Sequence, residues 1–220
     1  MTIRHHISDD LLVSYAAGSL AEGWSIAVAT HLALCPSCRR RLTVAEGIGG
    51  ALLETVADDA LVDDSWAIVR ARLQQQASSP SVALQKSNAT GHRGGLPEPL
   101  RSYVGGDIDT LKWRPLGRGA YQITIRTGDR ETRVRLLRIP AGKPVPEHSH
   151  GGRELTLVLH GSFIDGDVVF ARGDLEDADA SVTHQPIATP DTDCICLAVT
   201  DAPLKFRSWI VRAMQPMLGI

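Results

Sequence analysis

Residues 142–161 read GKPVPEHSHGGRELTLVLHG and set two histidines and a glutamate in the order G-x5-H-x-H-x3-E-x6-G. Successive side chains of a strand point to opposite faces, so His148 and His150 share a face and Glu147 points away from it. The Gly151-Gly152 pair supplies a turn, after which Glu154 returns on the next strand. Two imidazoles and a carboxylate suit Zn, Fe, Mn or Ni and leave coordination positions for water or substrate. His160 shares the inward parity of Glu154 and reads as a pocket-lining residue.

Around this run the texture stays β-like. Residues 121–125, 133–139, 155–159 and 194–199 are short apolar or β-branched segments separated by Gly, Pro and Asp turns. Many such strands over about 110 residues predict a β-sandwich or barrel. Cys194 and Cys196 share one face of a late strand, where buried thiols act as small apolar fillers. Upstream, residues 77–99, ASSPSVALQKSNATGHRGGLPEP, lack any sustained helical or alternating pattern and read as a linker. The expected organisation is α + β in two domains: a helical domain over residues 1–76, the linker, and a β domain over residues 100–220.

Helix signals fill the first part. Ser8 can cap a helix running through Leu11, Leu12 and Tyr15 to Gly18, and Ser19-Leu20-Ala21-Glu22 has the capping-box form. Pro36 suits the first turn of a third helix towards Leu53, which the glycines at 47, 49 and 50 would hinge or fray. A fourth helix over about residues 60–76 places Val62, Trp66, Val69 and Leu73 on one stripe.

Near the end of the second helix, His31 and Cys35 are four residues apart and project from one face, and a Pro36-Ser37 turn brings Cys38 back to them. This H-x3-C-x2-C run offers three donors at zinc-like spacing. A closed tetrahedral site needs a fourth, for which His5 and His6 stand just before the first helix; His6 is favoured. A helical module this small has a thin core, and a structural zinc contributing roughly 10–16 kcal/mol would dominate its stability.

An upstream His followed by H-x3-C-x2-C resembles the zinc-binding anti-sigma factors, over residues 1–76. The resemblance implies that His6, His31, Cys35 and Cys38 hold Zn2+ and that the module wraps an extracytoplasmic-function sigma factor. The fourth helix would help to clamp that partner, and its stripe of Val62, Trp66, Val69 and Leu73 suits groove binding. Residues 142–161 match the first cupin motif at every defining position. The second motif, G-x5-P-x-G-x2-H-x3-N, is partly kept: Gly173 and His184 are correctly spaced, while Asp179, Ser181 and Ala188 replace Pro, Gly and Asn. This resemblance, over residues 100–205, implies a double-stranded β-helix, or jelly roll, holding Zn2+ or another divalent metal at His148, His150, Glu154 and His184. Joined, the two halves resemble the ChrR group of anti-sigma factors. That implies inhibition of the sigma factor by the first half and its release on oxidative, singlet-oxygen-type stress sensed through the second.

With 23 basic and 25 acidic residues interspersed and a formal charge of -2, the chain offers no basic block for phosphate. Direct nucleic-acid binding is not expected; Arg39, Arg40 and Arg41 read instead as meeting an acidic partner surface. No stretch reaches the roughly 18–20 apolar residues of a membrane span, and the first residues, MTIRHH, lack a signal-peptide core. Close cysteine pairs in a reducing compartment point to metal or redox chemistry, and a cytoplasmic location is expected. The competing reading is a metal-dependent cupin enzyme, dioxygenase-like, with a regulatory zinc module. No general base or substrate-binding pattern is legible beyond the ligand set, so the chain is expected not to be an enzyme.

Overall fold

A computed structural model of the chain describes residues 2–57, 64–78, 95–117 and 119–207; Val62 and residues 79–94 of the expected linker lie outside them. The chain divides into two compact units, Met1–Gly49 with Gly94–Ile220, and Gly50–Arg93. Five α-helices are described: α1 (Asp9–Ala16), α2 (Glu22–Leu34), α3 (Pro36–Leu53), α4 (Ser65–Ser78) and α5 (Glu98–Val104). Among the described residues no helix is long and apolar enough to cross a membrane.

The expected helices form, but two expected caps do not. The Ser8 hydroxyl makes no cap bond and instead accepts from Arg153 Nη2 at 3.2 Å. Ser19 bonds the Ser14 carbonyl, while the Glu22 carboxylate takes the Gly128 N–H and the Tyr103 hydroxyl, so no capping box closes. A cap contributes about 1 kcal/mol, less than burying one large aliphatic side chain at about 1.5–3 kcal/mol, so packing decides where these side chains turn. Pro36 opens α3 as expected, and the helix runs unbroken through the glycines at 47, 49 and 50.

Twelve strands follow: β1 (Arg114–Gly117), β2 (Ala120–Ile125), β3 (Arg133–Ile139), β4 (His148–Ser149), β5 (Glu154–His160), β6 (Ser162–Asp165), β7 (Val168–Ala171), β8 (Leu175–Ala178), β9 (Thr183–His184), β10 (Ile187–Ala188), β11 (Cys194–Thr200) and β12 (Lys205–Phe206). They form a six-stranded sheet, β1-β2-β3-β11-β5-β8, and two three-stranded sheets, β10-β6-β7 and β12-β4-β9. Every residue of β11 is buried, because both faces of its sheet are covered. Ile195, Leu197 and Val199 pack with Leu11, Leu12, Ile26 and Val28 of the first two helices. Cys194, Cys196 and Ala198 face the other way, into a cavity closed by the smaller sheets.

The helical layer lies close against the sheet. A Cβ on Gly23 would stand 2.1 Å from Thr132 Oγ1 and 2.7 Å from Val134 Cγ2. The Gly23 N–H also donates to Asp129 Oδ2 at 2.9 Å. Gly23→Ala should therefore lower unfolding stability by about 1–3 kcal/mol. Gly47→Ala, in α3 with nothing within 4 Å of the added carbon, should raise it by about 0.5–1 kcal/mol. Denaturant midpoints of the two variants check both signs.

Candidate metal centres

The first centre assembles where α2 ends. Cys35 is the residue at which the chain leaves α2 for the extended conformation, and Pro36 restarts it as α3, so His31, Cys35 and Cys38 surround one corner. His31 Nε2 lies 3.3 Å from Cys38 Sγ, and His6 Nδ1 lies 3.4 Å from Cys35 Sγ and 3.6 Å from Cys38 Sγ. All four donor atoms fall within 4.8 Å of one another. His5 is directed elsewhere, its ring 4.3 Å from that of Phe170. His31, Cys35 and Cys38 are buried, and His6 closes the exposed side.

The electrostatics match the geometry. Burial, then the neighbouring His6, pulls His31 down to about 4, leaving its imidazole neutral and able to donate a lone pair at neutral pH. Burial pushes the Cys38 thiol up, so a cation at the corner has to displace its proton. Two thiols and two imidazoles converging on one point fit a tetrahedral divalent ion. Two of the three clustered arginines also bond to the backbone around this corner. Arg39 Nη1 donates to the Leu32 carbonyl at 2.6 Å. Arg41 Nη1 donates to the Ile7 carbonyl at 2.8 Å and to Cys38 Sγ at 3.7 Å.

The second centre is built by strand pairing. His148 on β4 stands directly opposite His184 on β9, with Nε2 atoms 3.2 Å apart. His150 Nε2 lies 3.1 Å from His184 Nε2. The three buried imidazoles form one group that a metal ion could occupy. Glu154 is buried but stands aside from that group: Oε2 is 3.7 Å from His150 Nδ1 and Oε1 accepts from Thr156 Oγ1 at 3.1 Å. Burial pushes its carboxyl up to about 7. Burial brings His148 and His150 down to about 4.

Asp165 and Glu176 join this centre without having been anticipated. His184 Nδ1 donates to Asp165 Oδ2 at 2.8 Å and lies 3.7 Å from Glu176 Oε1. Burial alone would lower His184, but the two carboxylates outweigh it and raise the ring to about 9. They aim its Nε2 at the other imidazoles, as the Pro146 carbonyl does for His148 by accepting from Nδ1 at 2.8 Å. The sequence carried little signal for either: Glu176 stands next to a second acidic residue, Asp177, in the four-residue strand LEDA, and which of the two faces inward follows only from the pairing.

His160 does not reach the cavity. The β5–β11 register shifts between Ile195 and Cys196, which reverses the parity, and His160 lies beside Thr192. Glu147 points outward to Arg207, as its parity requires. Where the second motif lacks Pro and Gly, Asp179 Oδ1 accepts the Ser181 N–H at 2.8 Å and forms the turn before His184 by a different route. The cavity beside the imidazoles has a volume of about 340 Å³ and is lined by Arg135, Leu137, Phe163, Cys194, Cys196 and Phe206 among others.

Helices with a two-thiol, two-imidazole corner thus pack on a β domain with a group of three imidazoles, and each cluster has donors that could hold a metal ion. Residues 102–203 match the ChrR cupin-like domain family. The chain is 46% identical over 220 residues to the anti-sigma-E factor ChrR of Cereibacter sphaeroides, with all of both chains covered. In the crystal structure of Rhodobacter sphaeroides SigE in complex with the anti-sigma ChrR, a chain of 44% identity superposes with a TM-score of 0.77, over 91% of this chain and 100% of that one. The chain belongs to the ChrR anti-sigma factor family.

Asp165→Asn should weaken divalent-metal binding at the imidazole centre about 10- to 100-fold while leaving the thiol-containing centre loaded. Competition against a chromophoric chelator, with metal content measured before and after, checks it. An unchanged affinity would deny Asp165 its orienting part.

Proposed function

We propose that this chain is an anti-sigma factor. Its helical segment, residues 1–76, binds an extracytoplasmic-function sigma factor and keeps it from RNA polymerase; residues 77–99 connect that segment to a cupin-like domain, residues 100–220, that reports oxidative, singlet-oxygen-type stress. Full-length similarity to an anti-sigma-E factor, and to a chain solved with SigE, supports that partner. Such a partner acts with RNA polymerase, which puts this chain in the cytoplasm and requires no contact of its own with nucleic acid.

The observation that carries the reading is apolar surface left open on two helices. Val44, Ile48 and Leu52 recur every fourth residue of α3 and are 60–64% exposed. On α4, Trp66 is 70% exposed and Leu73 56%, with Val69 beside them. Aromatic and aliphatic side chains at helical spacing are the anchors by which a helix seats in a partner's groove. These side chains, together with Val62 of the stripe expected from the sequence, are the proposed sigma-factor contacts.

Within this reading the two centres have different tasks. The first, with two sulfur and two nitrogen donors around a buried corner, suits zinc in a closed structural role. The second, with His148, His150 and His184 and with Glu154 adjacent, accepts zinc or another divalent ion beside an open cavity. A signal moves an equilibrium only by its different interaction with the two states. The stressed form of the second centre must therefore favour the sigma-free conformation. Regulation of this kind requires no turnover, so no catalytic residue is assigned.

Co-expression with the extracytoplasmic-function sigma factors of the source genome should yield a stable heterodimer; purification free of any of them would refute the function. Trp66→Ala should weaken sigma binding by about 2 kcal/mol or more, roughly 30-fold, measured by titration calorimetry. An unaltered affinity would remove α4 from the interface. His148→Ala should blunt release of the sigma factor under photosensitised singlet oxygen, read as complex persisting on size-exclusion chromatography.

A further inference from the structure

The four donors of the first centre all belong to the helical segment, yet the run that delivers His6 is held by the β domain. Asp174, 2% exposed, lies between β7 and β8. Its Oδ1 accepts the backbone N–H of Arg4 at 2.6 Å and of His5 at 2.9 Å. Its Oδ2 accepts the Ala171 N–H at 2.9 Å, so the carboxylate is clamped on its own side as well. The His5 carbonyl in turn accepts from Leu175 N at 3.2 Å. Because β8 is an outer strand of the six-stranded sheet, residues 4–5 bind along an edge that would otherwise lack a partner.

The neighbouring Gly173 bears on a second donor. Its φ is +93°, and a Cβ there would stand 2.6 Å from Ile3 Cδ1 and 3.8 Å from Leu34 Cβ. Only glycine lets the β domain come this close to the segments leading into His6 and out of His31. Three residues further along, Glu176 faces the cavity, 3.7 Å from His184 Nδ1. One four-residue run thus has its first half against residues that flank the first centre and its last residue against the second.

We propose that Asp174 is a positioning residue of the first metal centre, fixing His6 through the Arg4 and His5 amides, and that residues 173–176 couple the geometry of that centre to the His184 side of the second. The inference rests on the reading that His6, His31, Cys35 and Cys38 hold a metal ion. A residue that orients a ligand from outside alters metal affinity by about 10- to 100-fold when lost, and coupling between two sites acts equally in both directions.

The test is a Co2+ titration of the full-length chain, followed by thiolate-to-cobalt charge-transfer absorption. That band arises only from a sulfur-ligated centre, and because Cys194 and Cys196 line the cavity beside the imidazoles, every variant is made in a Cys194→Ala, Cys196→Ala background, which leaves Cys35 and Cys38 as the remaining thiols. Asp174→Ala should weaken the signal-bearing site about 10- to 100-fold. Asp174→Asn should weaken it less, since its Oδ1 still accepts from Arg4 and His5 but its amide opposes the Ala171 N–H. Asp129→Asn weakens a comparable clasp on Gly23 and Thr132, outside the donor set, and should stay within about twofold of the parent chain. Glu176→Ala, remote from the thiols, should shift the same affinity by about fivefold or more.

If the parent chain gives no charge-transfer band, the metal reading itself fails. If it gives the band while both Asp174 variants bind as it does, or Asp129→Asn loses as much as Asp174→Ala, the positioning inference is overturned. An unmoved affinity in Glu176→Ala overturns the coupling. Should Asp174→Ala fail to fold by circular dichroism, Asp174→Asn decides, with a loss of at least about threefold required.

Discussion

Everything described in the larger unit depends on one sheet being covered on both faces. In β11 alternate residues divide between two environments: Ile195, Leu197 and Val199 meet the helices, while Cys194, Cys196 and Ala198 line the cavity. If either covering layer were absent, half of an apolar strand would face water. That burial positions α2, hence His31 and Cys35 at its end, and it also forms the back wall behind the imidazole centre. The first 49 residues and the β domain consequently form one compact unit.

The two centres differ in how their donors are held. At the thiol corner three donors come from adjacent turns of one chain segment, and the helix break before Pro36 does most of the positioning. At the imidazole centre the donors sit on β4, β9 and the loop after β4. Their rings are therefore set by outer partners, namely the Pro146 carbonyl for His148 and Asp165 with Glu176 for His184. The corner with two sulfur donors has three of its four donors buried, whereas the nitrogen-lined group stands next to a cavity of about 340 Å³. Two sulfur and two nitrogen donors are the set of a closed tetrahedral site, and an all-imidazole group is one that can leave a position open.

Features encoded within a few residues were legible beforehand. The H-x3-C-x2-C run, the His148/His150 parity, Pro36 at a helix start and the long strands around 133–139 and 194–199 all follow from local periodicity or backbone chemistry. What escaped depends on partners distant in sequence. Ser8 and Glu22 have the form of caps but bond to Arg153, Gly128 and Tyr103, all more than eighty residues away. His160 lost its inward position to an extra residue in its own strand, visible only in the pairing with β11. Asp165 and Glu176 belong to the imidazole centre only because β9 brings His184 to them. The docking of α2 on the sheet left a single trace in the sequence, Gly23, which is interpretable only once Thr132 is known to lie against it.

The double covering of the sheet also sets an order of events during synthesis. α2 leaves the ribosome long before β11, its main apolar counterpart, and the roughly 165 residues between Leu34 and Thr200 take on the order of ten to thirty seconds to translate. Throughout that interval Ile26, Val28 and Leu32 have no sheet to cover them. A nascent helical segment in that condition is receptive to whatever apolar groove is nearby, whereas the completed chain presents the same face already occupied. The time at which a partner meets this protein, during its synthesis or after it, therefore changes which of its surfaces that partner finds open.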